Sequence, residues 1–364
     1  MASNPRAQLT PQMDDYDRLP IQWLPYVMYL QASNYRSASV NTDAHGLRWS
    51  ADPEGKPLGM DAMGDRDCYL LVGGSTVFGV GATADSQTLS ANLSALTGNC
   101  WLNFAGRAFS PTQELMLFQL FRNRLPRVRH ILLFSGINAL TLHHLISEVP
   151  SDIGGFFYWS QFRDGMAEAM LSPRRRILSR FLKPLFGDRI DFARVSLSRL
   201  PFQMLGLERP EKSTAKAGTS LDAQIATRKA CRDEMMAIIE RDLAIWRALA
   251  DMIGAKLSFV LQPMFNWTGK KECDEEARLF SYLDSLPQNH FKLLRQIFDR
   301  ESHEWLRGKL EGICAAHRIP FHDINALLRP MVRDEQWLFV DRAHLTDLGN
   351  RLVAGLLVKE GSIT

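Results

Sequence analysis

The chain has 364 residues with a net charge of +3 at pH 7, and 46% of its residues are hydrophobic. A chain of this length and composition can bury a large core without disulfides or structural metals. The small net charge gives no indication of a nucleic-acid partner, and we expect none. The five cysteines are odd in number and widely spaced, which argues against both a disulfide framework and a zinc ribbon.

Residues 1–66 are rich in Pro, Asp, Asn and Gly and show little periodicity. They contain neither the basic start nor the apolar stretch of a secretory signal, so we expect a cytoplasmic protein. The segment 41–46 predicts a turn, because its Asn, Asp and Gly supply capped or positive-φ positions. We predict an N-terminal arm, 1–66, that packs on the main domain, with His45 as a candidate to approach the functional site.

From residue 67 the pattern alternates between apolar runs and helical segments. Strands are predicted at 68–73, 100–105, 130–135, 256–262 and 319–323. Helices are predicted at 86–97, from about 110, at 222–252, at 303–317 and from about 346. This alternation implies right-handed crossovers and a parallel sheet covered on both faces, which is a three-layer α/β fold of the flavodoxin-like kind. In such sheets the ligand site lies beyond the carboxyl ends of the strands.

A long segment, 146–253, separates the third and fourth predicted strands. It carries an aromatic patch at 156–159 and a basic stretch at 174–183 that also has an apolar face. We predict a mostly helical insertion that forms a lid or a wall, which leaves 67–145 and 254–364 as the core domain. The basic stretch is either a solvated amphipathic helix or a docking face for an acidic partner, such as an acyl carrier protein or a phosphate-bearing substrate.

Two further histidine-containing segments are compatible either with a site or with ordinary structure. The apolar stretch that contains His143 and His144 is too short to span a bilayer, so we expect no membrane insertion. Adjacent histidines on a helix point about 100° apart and suit one metal ion poorly. We therefore predict no metal and no cofactor. His322 and Asp323 end the fifth predicted strand without a nucleophile nearby, and we interpret them as structural.

A serine follows the first predicted strand, in the segment Gly73-Gly-Ser-Thr-Val-Phe-Gly79. Where a strand turns into a helix, the hydroxyl of Ser75 would lie at the sheet edge, and small neighbours would let a substrate approach. The segment is not G-x-S-x-G, because position 77 is Val, which argues against the usual α/β-hydrolase elbow. Read without its context, Gly-Gly-Ser is also common as a plain tight turn.

Further groups of the right chemistry follow the other strands. In Asp341-Arg-Ala-His344, the carboxylate can fix the tautomer of a histidine base and stabilise its imidazolium form. Gly106 follows the second strand and Asn138 follows the third. A backbone N–H and a side-chain amide are the donor types that stabilise the oxyanion formed in acyl transfer. Each signal by itself is also compatible with a turn or with a solvated pair at a helix start.

In combination, the segments resemble the SGNH (GDSL-like) serine hydrolase family at Gly74-Ser75, Gly106, Gly136-Ile-Asn138 and Asp341-Arg-Ala-His344. The resemblance implies the SGNH hydrolase fold, with Ser75 as nucleophile and His344 with Asp341 as the proton shuttle. It also implies an oxyanion hole formed by the N–H groups of Ser75 and Gly106 and by the Asn138 amide. It covers roughly residues 68–140 and 256–358.

The sequence departs from the family pattern at two positions. Gly74 stands where the family often has Asp, as in a Gly-Gly-Ser-Thr subgroup, and Ala139 stands where Asp often follows the asparagine. Neither change removes a member of the triad or of the oxyanion hole. The segment 41–48, followed by the Gly-Gly-Ser-Thr strand, also resembles bacterial proteins labelled "inducer of phenazine A", a regulatory label that names no reaction.

The resemblance to SGNH hydrolases implies a carboxylic ester hydrolase that acts on an ester or a thioester through an acyl-Ser75 intermediate. The substrate expected is a small-molecule ester or an acyl carrier. Two alternatives stay open: an acyltransferase in a biosynthetic pathway, and a non-catalytic regulatory protein of SGNH-like fold. The sequence does not indicate the acyl chain or the oligomeric state.

Overall fold

The computed structural model of the protein describes residues 4–145, 154–159, 161–162, 165–166, 232–286 and 299–361. The chain divides into two compact units, one formed by Met1–Phe156 with Ile225–Thr364 and the other by Phe157–Gln224. The sheet and all the candidate catalytic residues belong to the first unit. The predicted basic stretch, 174–183, lies outside the described residues, as does most of the predicted lid.

The N-terminal arm is more regular than its composition predicts. Its helices are α1 (Pro5–Leu9) and α2 (Met13–Arg18), and its strands are β1 (Ile21–Leu24), β2 (Met28–Gln31), β3 (Ser50–Ala51) and β4 (Pro57–Leu58). The strands pair into two antiparallel hairpins, β1 with β2 and β3 with β4. Local hairpin pairing of this kind leaves little hydrophobic periodicity in strands as short as two to four residues.

The remaining described strands form one parallel sheet. They are β5 (Cys68–Gly73), β6 (Cys100–Ala105), β7 (Val128–Ser135), β8 (Lys256–Leu261) and β9 (Phe321–Asp323). Their order across the sheet is β6-β5-β7-β8-β9, and every adjacent pair is parallel. The second strand of this sheet in chain order, β6, therefore lies at the edge beside the first, β5. This is the 2-1-3-4-5 order of flavodoxin-like sheets. The predicted fold class is confirmed.

Helices cover both faces of this sheet. They are α3 (Ser75–Phe78), α4 (Leu89–Thr97), α5 (Pro111–Phe121), α6 (Ile137–Leu145), α7 (Arg232–Ile253), α8 (Phe265–Thr268), α9 (Asp274–Ser285), α10 (Arg300–Ala316), α11 (Ile324–Leu328) and α12 (Asp347–Lys359). Helices α4 and α12 pack with one face of the sheet in the main apolar core. Helices α5 and α7 pack together on the other face. No helix among the described residues combines the length and apolarity needed to cross a membrane.

Helix α7 corrects the predicted limits of the insertion, which placed all of 146–253 outside the core. Its buried face includes Ile239, Leu243 and Trp246, and the Trp246 ring lies 5.0 Å from that of Phe118 on α5. An amphipathic helix with its apolar face packed against the sheet layer is part of the core. The separate unit of the chain therefore ends before α7, at Gln224.

Candidate active site

Ser75 lies at the carboxyl edge of the sheet, as the first residue of α3 directly after β5. The preceding residue, Gly74, is in close contact with the side chain of Asn138. A Cβ atom added to Gly74 would lie 2.4 Å from Asn138 Nδ2, which no side chain could occupy without displacing that amide. A glycine at position 74 is thus required by the position of Asn138 in this protein.

Ser75, His344 and Asp341 form a continuous hydrogen-bonded line. His344 Nε2 lies 2.7 Å from Ser75 Oγ, and His344 Nδ1 lies 2.7 Å from Asp341 Oδ2. Ser75 and His344 are half-buried, so a substrate can reach them, while Asp341 is buried. The structure therefore brings the three predicted catalytic side chains together at one point, in an order suited to moving a proton from a hydroxyl to an imidazole.

The carboxylate of Asp341 is held in its charged form. Burial by itself favours the neutral acid, but the charge and hydrogen bond of His344 lower the pKa of Asp341 below its usual value. The backbone N–H groups of Ala343 and His344 also donate to Asp341 Oδ1, at 2.8 and 2.9 Å. The same loop that carries the imidazole therefore supplies donors to its carboxylate partner, which fixes the orientation of the ring.

A buried polar chain joins the loop of His344 to the helix of Ser75. Thr76 Oγ1 donates to the carbonyl of Ala343 at 3.2 Å, and Gln262 Nε2 donates to Thr76 Oγ1 at 2.9 Å. The carbonyl of Gln262 accepts from Asn325 Nδ2 at 3.1 Å. Thr76 and Gln262 are both buried. These residues were not predicted, although Gln262 ends the fourth predicted strand at the edge where functional groups are expected.

Arg342 lies between Asp341 and His344 in the chain and holds their loop in place through contacts with other parts of the core. Its guanidinium makes two hydrogen bonds to the carboxylate of Asp284, at 2.9 and 3.0 Å, and lies 4.8 Å from the centre of the Phe280 ring. Its carbonyl accepts a hydrogen bond from the N–H of Phe265 at 2.9 Å. Because Arg342 is buried and paired, it is not a substrate-binding cation but a fixed support for the residues on either side.

Two of the predicted oxyanion donors have N–H groups that can face a substrate. The N–H of Ser75 is at the first position of a helix, where no intrahelical acceptor exists. Asn138 Nδ2 uses one hydrogen to donate to the carbonyl of Phe109, at 2.8 Å, which leaves the second hydrogen of the amide for a ligand.

The third predicted donor, Gly106, is placed differently. Its N–H donates to the carbonyl of Gly73 at 3.3 Å and so extends the pairing of β5 with β6. A Cβ atom at Gly106 would lie 2.2 Å from the ring of Phe109, which gives the glycine a packing role. Its part in an oxyanion hole stays a prediction.

The N-terminal arm supports the end of the serine helix. Arg48 Nη1 donates to the carbonyls of Phe78 and Gly79, at 3.0 and 2.7 Å, and Arg48 Nε pairs with Asp85 at 3.0 Å. Tyr16 Oη lies 2.6 Å from the Gly79 carbonyl, and burial raises the pKa of Tyr16 to about 12, so the phenol stays neutral. In the segment 41–48, a turn, a family resemblance and the approach of His45 to the site were predicted, but the role of Arg48 was not.

Other histidines singled out in the sequence lie away from the triad. His45 Nε2 contacts Asp61 at 3.1 Å, and its ring packs on Phe121, so it does not approach Ser75. Asp323 pairs with His303, at 2.8 Å, rather than with its neighbour His322. The side chains of the adjacent histidines in α6 lie outside the described residues. Within the part of the chain that the structure describes, no cluster of three or more potential ligands could hold a metal ion.

No protein-family model and no curated protein matches this chain. Among solved structures, a crystal structure of an acetyl xylan esterase is similar over 80% of this chain and 98% of that chain, with 10% sequence identity and a TM-score of 0.34. A similarity at this level carries no argument about activity. The resemblance to proteins labelled "inducer of phenazine A" has no support in these comparisons. The interpretation of the candidate site therefore rests on the geometry of its residues.

Proposed function

We propose that the protein is a serine hydrolase of the SGNH type that cleaves a carboxylic ester through an acyl-Ser75 intermediate. One observation carries the proposal: His344 is hydrogen-bonded to Ser75 Oγ through one ring nitrogen and to the buried Asp341 carboxylate through the other, both at 2.7 Å. A histidine held between a hydroxyl and a carboxylate is the arrangement that activates a serine nucleophile.

In the first half of the reaction, Ser75 Oγ attacks the ester carbonyl while its proton passes to His344 Nε2. The charge of Asp341 stabilises the imidazolium that forms. The imidazolium then gives its proton to the leaving alcohol as the carbon–oxygen bond breaks. In the second half, His344 takes a proton from water, the hydroxide attacks the acyl group, and the proton returns to Ser75 as the acid leaves.

The negative charge that develops on the carbonyl oxygen needs donors already in place. The N–H of Ser75 and the second hydrogen of the Asn138 amide are the proposed donors, and that amide lies close to the backbone of Gly74, the residue before the nucleophile. Such donors stabilise the transition state most because they need no reorganisation when the charge forms.

The acceptor of the acyl group distinguishes the proposal from an acyltransferase. The assembled triad supports a catalytic protein over a purely regulatory one, and water is the simplest acceptor. An ester, a thioester and an acyl carrier all remain candidate substrates. Product analysis with and without added alcohols and amines separates the hydrolase from the acyltransferase, because an acyltransferase forms the new ester or amide in preference to the free acid.

The direct test is active-site labelling of the full chain with a fluorophosphonate probe, followed by mass spectrometry of the labelled peptide. We expect the label on Ser75 in the wild type and no labelling of Ser75→Ala or His344→Ala. Ser90→Ala is a matched control, because Ser90 is buried on α4 and has no histidine partner among the described residues. Absence of labelling in a folded wild-type sample, judged by circular dichroism, contradicts the proposal.

A further inference from the structure

A cavity lies at the amino edge of the parallel sheet, which is the edge opposite to Ser75. It has a volume of about 330 Å³ and is lined at the start of β8 by Lys256, Leu257 and Ser258. His130, which is paired in register with Lys256, lines it from β7. Strand β8 runs from Lys256 to Leu261, so the cavity and the triad are separated by at least the length of that strand, about 17–20 Å.

The walls of this cavity are strongly basic. Arg247 from α7, Lys256 from β8 and Arg318 from the loop before β9 contribute three permanent positive charges. The imidazoles of His130 and His322 lie in the same lining. Among the described residues, Asp251 pairs with Arg247 at 2.5 Å, and the charge of Glu360 acts on His322. The lining residues that the structure describes include three cationic side chains and no carboxylate.

Two buried nitrogen atoms of the lining residues lack hydrogen-bond partners among the described residues. They are Nδ1 of His130, a residue only 2% exposed, and Nε of Arg247. The other ring nitrogen of His130 lies 3.0 Å from Ser258 Oγ. When the serine hydroxyl donates to that nitrogen, the proton of the neutral ring lies on Nδ1 and can be donated to a ligand. Buried polar atoms without partners are rare in folded proteins, so a ligand oxygen is the natural partner for these two.

From this lining we infer that the cavity is a binding site for a phosphate-bearing small molecule. Its volume is at the small end of the range of about 300–1,000 Å³ that is usual for small-molecule sites, and exceeds what a single ion requires. The guanidinium groups of Arg247 and Arg318 suit phosphate oxygens, because their planar donors match the geometry of that anion. The site is independent of the proposed esterase reaction, since its residues take no part in the triad or its supports.

The test is calorimetric titration of the full chain with pyrophosphate and with glycerol 3-phosphate at low ionic strength. We expect saturable binding of one equivalent, no binding of glycerol, and a dissociation constant that rises with added salt. Arg318→Gln and Arg247→Gln should each weaken binding at least tenfold. Arg318 is exposed, so its replacement is not expected to impair folding.

Two matched variants identify the site. Arg300→Gln removes the same charge from the exposed start of α10 and should leave binding unchanged. Ser75→Ala should also bind normally, because the triad lies at the other edge of the sheet. The inference is overturned by absence of saturable binding to the folded wild type, by an equal loss in Arg300→Gln, or by loss in Ser75→Ala. These binding measurements do not depend on whether the protein is an esterase.

Discussion

Arg48 Nη1 donates a hydrogen bond of 2.7 Å to the carbonyl of Gly79, the residue at which the helix of Ser75 ends. The two residues belong to different parts of the fold, since Arg48 lies in the N-terminal arm and Gly79 in the core. Arg48 is fully buried, and its charge is matched by Asp85. The arm is therefore a structural part of the nucleophile region and not an accessory segment.

Replacement of Arg48 by Met should lower the free energy of unfolding by about 3–5 kcal/mol, because it removes the buried guanidinium that pairs with Asp85 and donates to the carbonyls of Phe78 and Gly79. Urea denaturation followed by circular dichroism measures the change. Arg18→Met is the control: Arg18 is 74% exposed and its ion pair is long, at 3.8 Å, so the effect should stay within about 0.5 kcal/mol. Equal effects in the two variants would contradict the assigned role.

Single and double replacements in the triad should not add. Ser75→Ala and His344→Ala are each expected to reduce kcat by several orders of magnitude, and the double variant should be no slower than either, because the two groups act as one unit. Hydrolysis of an activated ester, with kcat for each variant on a logarithmic scale, makes the comparison. Fully additive losses would mean that the residues act separately.

Removal of the Asn138 amide should slow the chemical step more than it weakens substrate binding. Asn138→Ala is expected to reduce kcat about 10²–10³-fold, or about 2.7–4 kcal/mol, if the amide stabilises the oxyanion. The KM should change little. Asn92→Ala, on the outer part of α4, serves as the control for a lost asparagine. A change confined to KM would assign Asn138 to substrate binding instead.

Gly74→Ala should cause much of the fall in kcat that is expected for Asn138→Ala, although the Asn138 side chain is still present. The new methyl would lie 2.4 Å from Asn138 Nδ2, so the amide must move away from the nucleophile. We expect a fall in kcat that does not add to that of Asn138→Ala in the double variant. Gly308→Ala is the matched control, because nothing lies within 4 Å of its added Cβ. Wild-type kcat in Gly74→Ala would show that the amide position does not matter.

The buried carboxyl group of Glu114 predicts an unusual pH dependence of stability. Burial, opposed by the hydroxyl of Ser135 and reinforced by Asp242, raises the pKa of Glu114 to about 8. The folded protein therefore keeps a proton that the unfolded chain releases above about pH 4.3, so this group costs stability increasingly as pH rises from that value to about 8. Glu114→Gln, which stays neutral, should be more stable than the wild type by about 1–3 kcal/mol at pH 8.

The difference between Glu114→Gln and the wild type should shrink from pH 8 to pH 5, because the unfolded chain releases the proton less readily as the pH falls towards about 4.3. Urea denaturation at the two pH values measures it. Glu335→Gln, at an exposed position, should show no such pH-dependent gain. A wild type that is the more stable protein at pH 8 would mean that Glu114 is charged and paired in the folded state.

The parallel sheet was predictable because four of its five strands are apolar runs that a helix follows. Cys68–Gly73 and Cys100–Ala105 have the predicted limits, and the helix predicted from about 110 begins at Pro111 with Ser110 as its cap. The position of Ser75 was predictable for a related reason: parallel strands bring their carboxyl ends, and the residues that follow them, to one edge. Asp341 and His344 lie in a C-terminal loop, and their pairing with Ser75 was expected from the resemblance to SGNH hydrolases.

The supports of the site were not predictable from local pattern. Arg48, Thr76 and Gln262 act through buried hydrogen bonds to partners 30 or more residues away, and such pairings leave no periodic signal. Helix α7 was assigned to the insertion because the sequence shows where the helix lies along the chain but not which elements it packs against. The direction of the Gly106 N–H depends on its contact with β5, which only the folded register determines.

The proposed base, His344, lies 269 positions further along the chain than the proposed nucleophile, Ser75. A ribosome must therefore synthesise all five strands of the parallel sheet before the serine can be deprotonated, so a partly made or partly folded chain carries an inert hydroxyl. Esterase activity would consequently report complete docking of the C-terminal loop, and its recovery during refolding should follow the last tertiary event and not the formation of the first strands.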